Sequence, residues 1–253
     1  MKLRLFLALT SAMSCLTTQA GEVAVAVAAN FSAPMQKIAK VFEQDTGHKA
    51  QLAFGATGKY YAQIKNGAPF AVLLAADDET PKRLEKEGWA VAGTRFTYAV
   101  GRLALWSKQP NFVDDKGDIL RSNHFEKLGI YKIAIADPKL APYGAAAMEV
   151  MQRMGVQARL KFKLVQGDSI GQTYQFVSTE NAQLGFVALS QISIEGRITQ
   201  GSAWVVPQSL HTPLKQDAVL LKAGKDNAAA LALLKYLQSD AAKTIVRGYG
   251  YAL

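Results

Sequence analysis

The 253-residue chain is 49% hydrophobic and 19% charged, ordinary globular usage with enough apolar material for one large or two small cores. A formal net charge of +9 could attract nucleic acid, an anionic membrane surface or small anions. The Lys and Arg residues are scattered, with no run longer than the pair Lys82-Arg83 and no extended aromatic-interleaved stretch, so no nucleic-acid stripe is legible and the basicity reads as a solvated surface.

The chain opens on MKLRLFLALTSAMSCLTTQAGEV: Lys2 and Arg4, a short apolar run, then Thr18-Gln19-Ala20 before Gly21. This is the pattern of a removable signal peptide over residues 1–20. A membrane anchor is the alternative, disfavoured because the apolar part is short and a polar TTQ follows it. Cys15 is the only cysteine and lies inside this leader, with Ala12 where a lipidation signal would want Leu. Without the leader the chain would be free of cysteine, suited to an oxidising compartment and incapable of thiol catalysis.

From Val23 onward, short apolar strands alternate with helical patterns. VAVAVAAN reads as a strand ending at Asn30, after which Met35, Ile38, Ala39 and Phe42 recur at helical spacing up to Thr46-Gly47. KAQLAFGAT repeats the plan, followed by a helix carrying Tyr61 and Ile64 that stops at Asn66-Gly67. FAVLLAAD, the short helix TPKRLEKEG and the long apolar stretch RFTYAVGRLALWS come next. The second half runs through YKIAIADPKLAPYG, the helix AAAMEVMQRMG, RLKFKLVQGDSIG, a helix from Gln172 to Glu180, LGFVALSQI, AWVVPQ and DAVLLKAG. A single terminal helix, NAAALALLKYLQSDAAKTIV, closes the chain. This alternation predicts an α/β fold with mainly parallel sheets, and the absence of a flexible linker means that two domains would be joined by crossing strands.

Catalytic signals are sparse. His48, His124 and His211 sit singly in predicted turns without HxH, HxxH or HExxH spacing, so they read as structural surface histidines. There is no GxGxxG motif after a predicted strand. FGATGKYY suggests a phosphate loop, but Ala53 stands where the first Walker glycine belongs and Tyr60 follows Lys59 where a hydroxyl residue should ligate magnesium. Asp77-Asp78-Glu79 opens a helix and reads as a complement to its dipole. What recurs four times, at Asn30, Thr57, Tyr143 and Ser169-Ile170, is a strand feeding small or polar residues directly into a helix start. Free backbone N–H groups and partial positive charge make such a start an anion site when several converge. Taken singly, Asn30, Thr57 and Ser169 are most simply helix N-caps.

AANFSAPMQKIAKVFEQDTGH, FGATGKYYAQIKNGAPFAVLLAADDETPKRLEKEG, ADPKLAPYGAAAMEVMQRMG, LGFVALSQI and RGYGYAL together resemble the periplasmic molybdate-binding subunits of ABC importers, over essentially the whole chain beyond the leader. The resemblance implies a two-lobed periplasmic binding protein of type II, with lobe one spanning residues 21–99 plus 211–253 and lobe two spanning 100–210. It implies a periplasmic location, a monomer without enzymatic activity or cofactor, and membrane permease and ATPase subunits as partners. The ligand it implies is molybdate, with tungstate beside it, held through Ala29, Asn30, Thr57, Tyr143 and the amide of Ile170. Molybdenum would be bound only as the oxyanion, with no side chain ligating the metal. This chain resembles the branch with Tyr at the PYG position, so Ala188, where the other branch has a ligand Tyr, should make no hydroxyl contact. Receptors for sulfate or phosphate, and an enzyme on the same two-lobe fold, remain the alternatives. A phosphate receptor would announce itself by an acceptor such as a carboxylate in the cleft and an enzyme by a carboxylate or a cation, whereas sulfate would be excluded only by size. Asp137 and Asp168 are the nearest acids in sequence. Asp168 reads as the cap of its following helix, Asp137 as a brace for its loop, and Lys59 as a solvated first-turn residue.

Overall fold

The computed structural model describes residues 20–125 and 127–253. The expected leader, Cys15 included, lies outside the described residues apart from Ala20. Among the described residues no helix is long and apolar enough to cross a membrane.

Two five-stranded sheets organise the described residues. In the first, β1 (Glu22–Ala28) pairs in parallel with β2 (Lys49–Gly55) and β3 (Val72–Leu74). Val23, Val25, Ala26 and Val27 are all fully buried, as expected of a parallel strand with helices on both faces. The intervening helices are α1 (Ser32–Thr46), α2 (Thr57–Lys65) and α3 (Glu79–Lys86). α1 ends at Gly47, whose left-handed φ of 73° lets its N–H return to the Glu43 carbonyl. The sheet is completed by two antiparallel strands, β4 (Phe96–Gly101) and, after the chain has visited the second lobe, β12 (Leu214–Leu220).

The second sheet repeats this order. β6 (Ile133–Ala136) pairs in parallel with β7 (Leu164–Gly167) and β8 (Leu184–Ala188), and β5 (Leu103–Ser107) and β11 (Ser202–Val205) complete it as antiparallel strands. Its helices are α4 (Pro142–Arg153), α5 (Gln157–Leu160), α6 (Ile170–Ser178) and α7 (Leu189–Ile192), with a two-stranded ribbon of β9 (Ser193–Ile194) and β10 (Arg197–Ile198) beside them. The stretch RFTYAVGRLALWS therefore divides at Arg102, β4 belonging to one sheet and β5 to the other.

Two local expectations are corrected. The terminal helix is two helices, α8 (Ala228–Tyr236) and α9 (Asp240–Gly248). Between them, Ser239 accepts the Ala242 N–H, a side-chain cap that competes with continuing the helix. Two of the three histidines are interior rather than surface residues. His48 accepts the Gly21 N–H, and His211 places Nδ1 2.8 Å from the Thr212 carbonyl.

Candidate functional site

The C-terminal ends of the parallel strands in the two lobes face one another. Ala28, Ala56 and Ala76, at or just beyond the ends of β1, β2 and β3, pack in one apolar cluster with Ala141, Tyr143, Ile170 and Ala188 of the second lobe. Small side chains at these strand ends let backbone from both lobes approach closely. Gly58 N–H at the start of α2 donates to the Leu140 carbonyl across this junction at 2.9 Å. At its rim Lys59 pairs with Asp168 at 2.6 Å, both side chains being well exposed. This corrects two expectations: Lys59 is not simply solvated, and Asp168 does not cap α6. Ser169 caps it, taking the Gln172 N–H. Asp137 does brace its loop, accepting the Lys139 N–H at 2.9 Å.

Asn30 and Thr57 also differ from the N-cap expectation. Asn30 sits in a short 3-10 turn between β1 and α1, and the N-cap of α2 is Ala56, which makes Thr57 the first helical residue. Neither hydroxyl nor amide is therefore used up in capping. Thr57 is buried, and its oxygen accepts the Ala76 N–H at 3.0 Å, so its own proton is free to be given elsewhere.

Tyr143, buried in the first turn of α4, has the same character: its oxygen accepts Gln216 Nε2 at 3.0 Å. Burial pushes its hydroxyl well above the ordinary tyrosine range, so it stays protonated. Gln216 extends the connection, since its Oε1 accepts Asn30 Nδ2 at 2.8 Å. Asn30 Nδ2 also donates to the Tyr251 oxygen at 3.0 Å, and Ser190 of α7 donates to the Asn30 carbonyl at 2.8 Å. Tyr251, its hydroxyl raised to about 12 by burial, lies 2.8 Å from that carbonyl and 2.9 Å from Ser190 Oγ.

Ile170 is buried as the first residue of α6, where its N–H has no acceptor within the helix. Gln191 Nε2 fixes this turn through the Ile170 carbonyl at 3.1 Å, while Gln191 Oε1 accepts the Ala188 N–H. Ala188 offers only a methyl group. Ala29 packs against the shared cluster and also borders, with Asn30, Gly171, Ser190 and Thr199, a groove of about 400 Å³. Thr57, Tyr143 and Ile170 do not line that groove. The five candidates thus meet through shared neighbours: Tyr143 and Asn30 through Gln216, Thr57 through Ala76, and Ile170 and Ala29 through the cluster.

Two buried or half-buried carboxylates near this region are already engaged. Asp77 accepts the Thr80 N–H at 2.7 Å, and burial pushes its carboxyl above the usual range. Asp217 is fully buried, bound by Arg95 and by the Thr97 hydroxyl at 2.7 Å. Sequence reading missed Ser190, Tyr98, Gln216 and Tyr251. For Gln216 a signal existed: Gln216-Asp217 puts two polar residues on opposite faces of a strand directly before the apolar run at 218–221, and a buried polar side chain demands partners.

Paired mixed sheets, joined by crossing strands and facing each other across hydrogen-bond donors, define a ligand-binding protein of two lobes. Residues 23–252 match the bacterial extracellular solute-binding proteins, and the chain belongs to that family. Among its relatives, it is 56% identical to the molybdate-binding protein ModA of Azotobacter vinelandii over 99% of this chain and 97% of that protein. It is 53% identical to the molybdate-binding protein ModA of Rhodobacter capsulatus, over 93% of this chain and 90% of the other. A solved structure of an Azotobacter vinelandii periplasmic molybdate-binding protein superposes with a TM-score of 0.86 at 37% identity, covering 91% of this chain and 99% of that one.

Proposed function

We propose that this protein captures molybdate, and tungstate with it, in the periplasm and delivers it to the permease and ATPase subunits of an ABC importer. The observation that carries the reading is a buried junction whose Thr57 and Tyr143 hydroxyls each accept a protein N–H and keep a proton to donate. The Ile170 amide and the backbone of the Ala29 and Asn30 turn complete the set, with no carboxylate among them; the Asn30 side chain gives its Nδ2 protons to Gln216 and Tyr251 and so braces the turn.

Such a set suits a tetrahedral dianion that offers only acceptors. Hydrogenphosphate carries a proton and needs an acceptor in return, and none of the engaged carboxylates is free to supply one. Sulfate is also an acceptor-only dianion but a smaller one. A cavity walled by packed backbone cannot contract around it without losing contacts. The relatives named for molybdate support the choice of anion. We divide the lobes at Arg102, just beyond the expected 99/100 because β4 runs on to Gly101, and at residues 210/211, and read residues 1–20 as the export signal. Closure of the lobes about these segments would bury the anion, and the closed monomer would be what the permease meets, a hinge-type movement without a chemical step.

Calorimetric titration of the purified, ligand-stripped protein tests this. Molybdate and tungstate should bind tightly at one site per chain, with sulfate and phosphate far weaker. Silence from molybdate, or a preference for phosphate, would refute the reading.

A further inference from the structure

Gln216 is fully buried on β12 of the first lobe, yet it reaches Tyr143 of the second. Building on the oxyanion reading above, we propose that Gln216 is a positioning residue: it sets the direction in which the buried hydrogen bonds run and thereby makes Tyr143 a donor to the anion.

The two ends of the amide have different surroundings. Oε1 receives Asn30 Nδ2 at 2.8 Å and lies 3.1 Å from the Tyr98 hydroxyl, which itself lies 2.9 Å from the Ala75 carbonyl. With Oε1 committed there, Nε2 is the atom that faces the Tyr143 oxygen. A hydroxyl that accepts from an amide N–H cannot return its proton to the same group. The Tyr251 oxygen is the remaining neighbour; it accepts from Asn30 Nδ2 and has one further lone pair toward Tyr143. The Tyr143 proton is therefore held away from Gln216, on the side of Tyr251 until an anion offers it an acceptor.

The opposite arrangement shows what Gln216 controls. Asn30 Oδ1 is buried without a donor among the described residues. If both amides turned over, Gln216 Nε2 would supply that oxygen, and Gln216 Oε1 would draw the Tyr143 proton inward. The Tyr143 oxygen would then face the cleft as an acceptor, which suits a protonated oxyanion instead. One side chain therefore decides whether the second lobe donates or accepts, and so which protonation state of an anion is recognised. Gly101 allows this contact, because a Cβ at that position would collide with both the Tyr143 hydroxyl and Gln216 Nε2.

The test is a double-mutant cycle on the purified protein, read by calorimetry with molybdate and with phosphate. Gln216→Met should weaken molybdate binding about tenfold or more, the scale of one misdirected buried hydrogen bond. In a Tyr143→Phe background the same change should add less than about twofold, because no hydroxyl remains to be oriented. Gln216→Glu, identical in shape but accepting at both ends, should lose about a hundredfold. In both Gln216 variants the ratio of molybdate to phosphate affinity should fall, whereas a purely structural defect would lower both together. Unchanged affinity in Gln216→Met, or losses that multiply independently of Tyr143, would overturn the proposal. So would failure of both Gln216 variants to fold, which would make the residue a structural element of the crossing strand. Silence of the unmodified protein toward molybdate would instead refute the functional reading itself.

Discussion

In the first lobe, the Thr57 hydroxyl is set by the Ala76 N–H, and both residues lie in that same lobe. In the second, the Tyr143 hydroxyl is set by Gln216, which belongs to the first lobe's sheet. The strand order is the same on both sides, β2-β1-β3-β12-β4 against β7-β6-β8-β5-β11, so the difference does not come from topology. It comes from the way the strands feed the helices. β2 passes into α2 through Ala56 alone, which places Thr57 beside its own neighbouring strand end. β6 reaches α4 through the five residues 137–141, which carry Tyr143 over to the crossing strand. The first lobe thus has a preformed donor at Thr57, whereas the second lobe's tyrosine is oriented only when the lobes are together. On the proposed function, that asymmetry would couple capture to closure: the anion would meet one prepared half-site, and closing would prepare the other.

The comparison can be broken at either lobe. Tyr143→Phe should cost most, because it removes a donor to a dianion and the inter-lobe bond to Gln216 together. Molybdate affinity should fall about 10- to 100-fold by calorimetry, the scale of a charge-assisted hydrogen bond. Thr57→Ala should cost about tenfold in affinity, but it also strands the Ala76 N–H inside the first lobe. Its thermal midpoint without ligand should therefore drop, by a destabilisation of about 1–3 kcal/mol. A drop in Tyr143→Phe as large as in Thr57→Ala, for the ligand-free protein, would contradict the claim that only the first lobe is preformed. The smallest effect concerns pH. Burial raises Tyr143 and Tyr251 above their ordinary values, so both hydroxyls stay protonated as donors below the ordinary tyrosine range near pH 10. Raised folded values place any loss on the alkaline side, and affinity should be flat between about pH 6 and pH 9 in titrations at fixed salt.

Much of the fold is legible in the sequence because its strands are continuous Val- and Ala-rich runs and its helices carry clear periodicity. Leu237-Gln238-Ser239 defeats that reading: the apolar spacing continues across it, while the Ser239 side chain interrupts the helix by a local bond. At the site, Thr57, Tyr143 and Ile170 can be found because a strand end meets a helix start at each, a pattern local in sequence. Gln216 and Tyr251 cannot be found that way. Their partners lie as far away as Asn30, 186 and 221 residues earlier, and only the return of the chain through β12 and the C-terminus brings them together. Asp168 misleads for a related reason, since its ion pair with Lys59 spans the two lobes while the local rule favours a cap.

The central claim, that donors from both lobes converge on one oxyanion, is tested most directly by a crystal structure of the protein with molybdate. The account predicts a single anion with the Thr57 hydroxyl, the Tyr143 hydroxyl and the Ile170 amide each within about 3 Å of its oxygens. An anion bound at the Lys59 and Asp168 rim, or one touching a carboxylate or only one lobe, would contradict it.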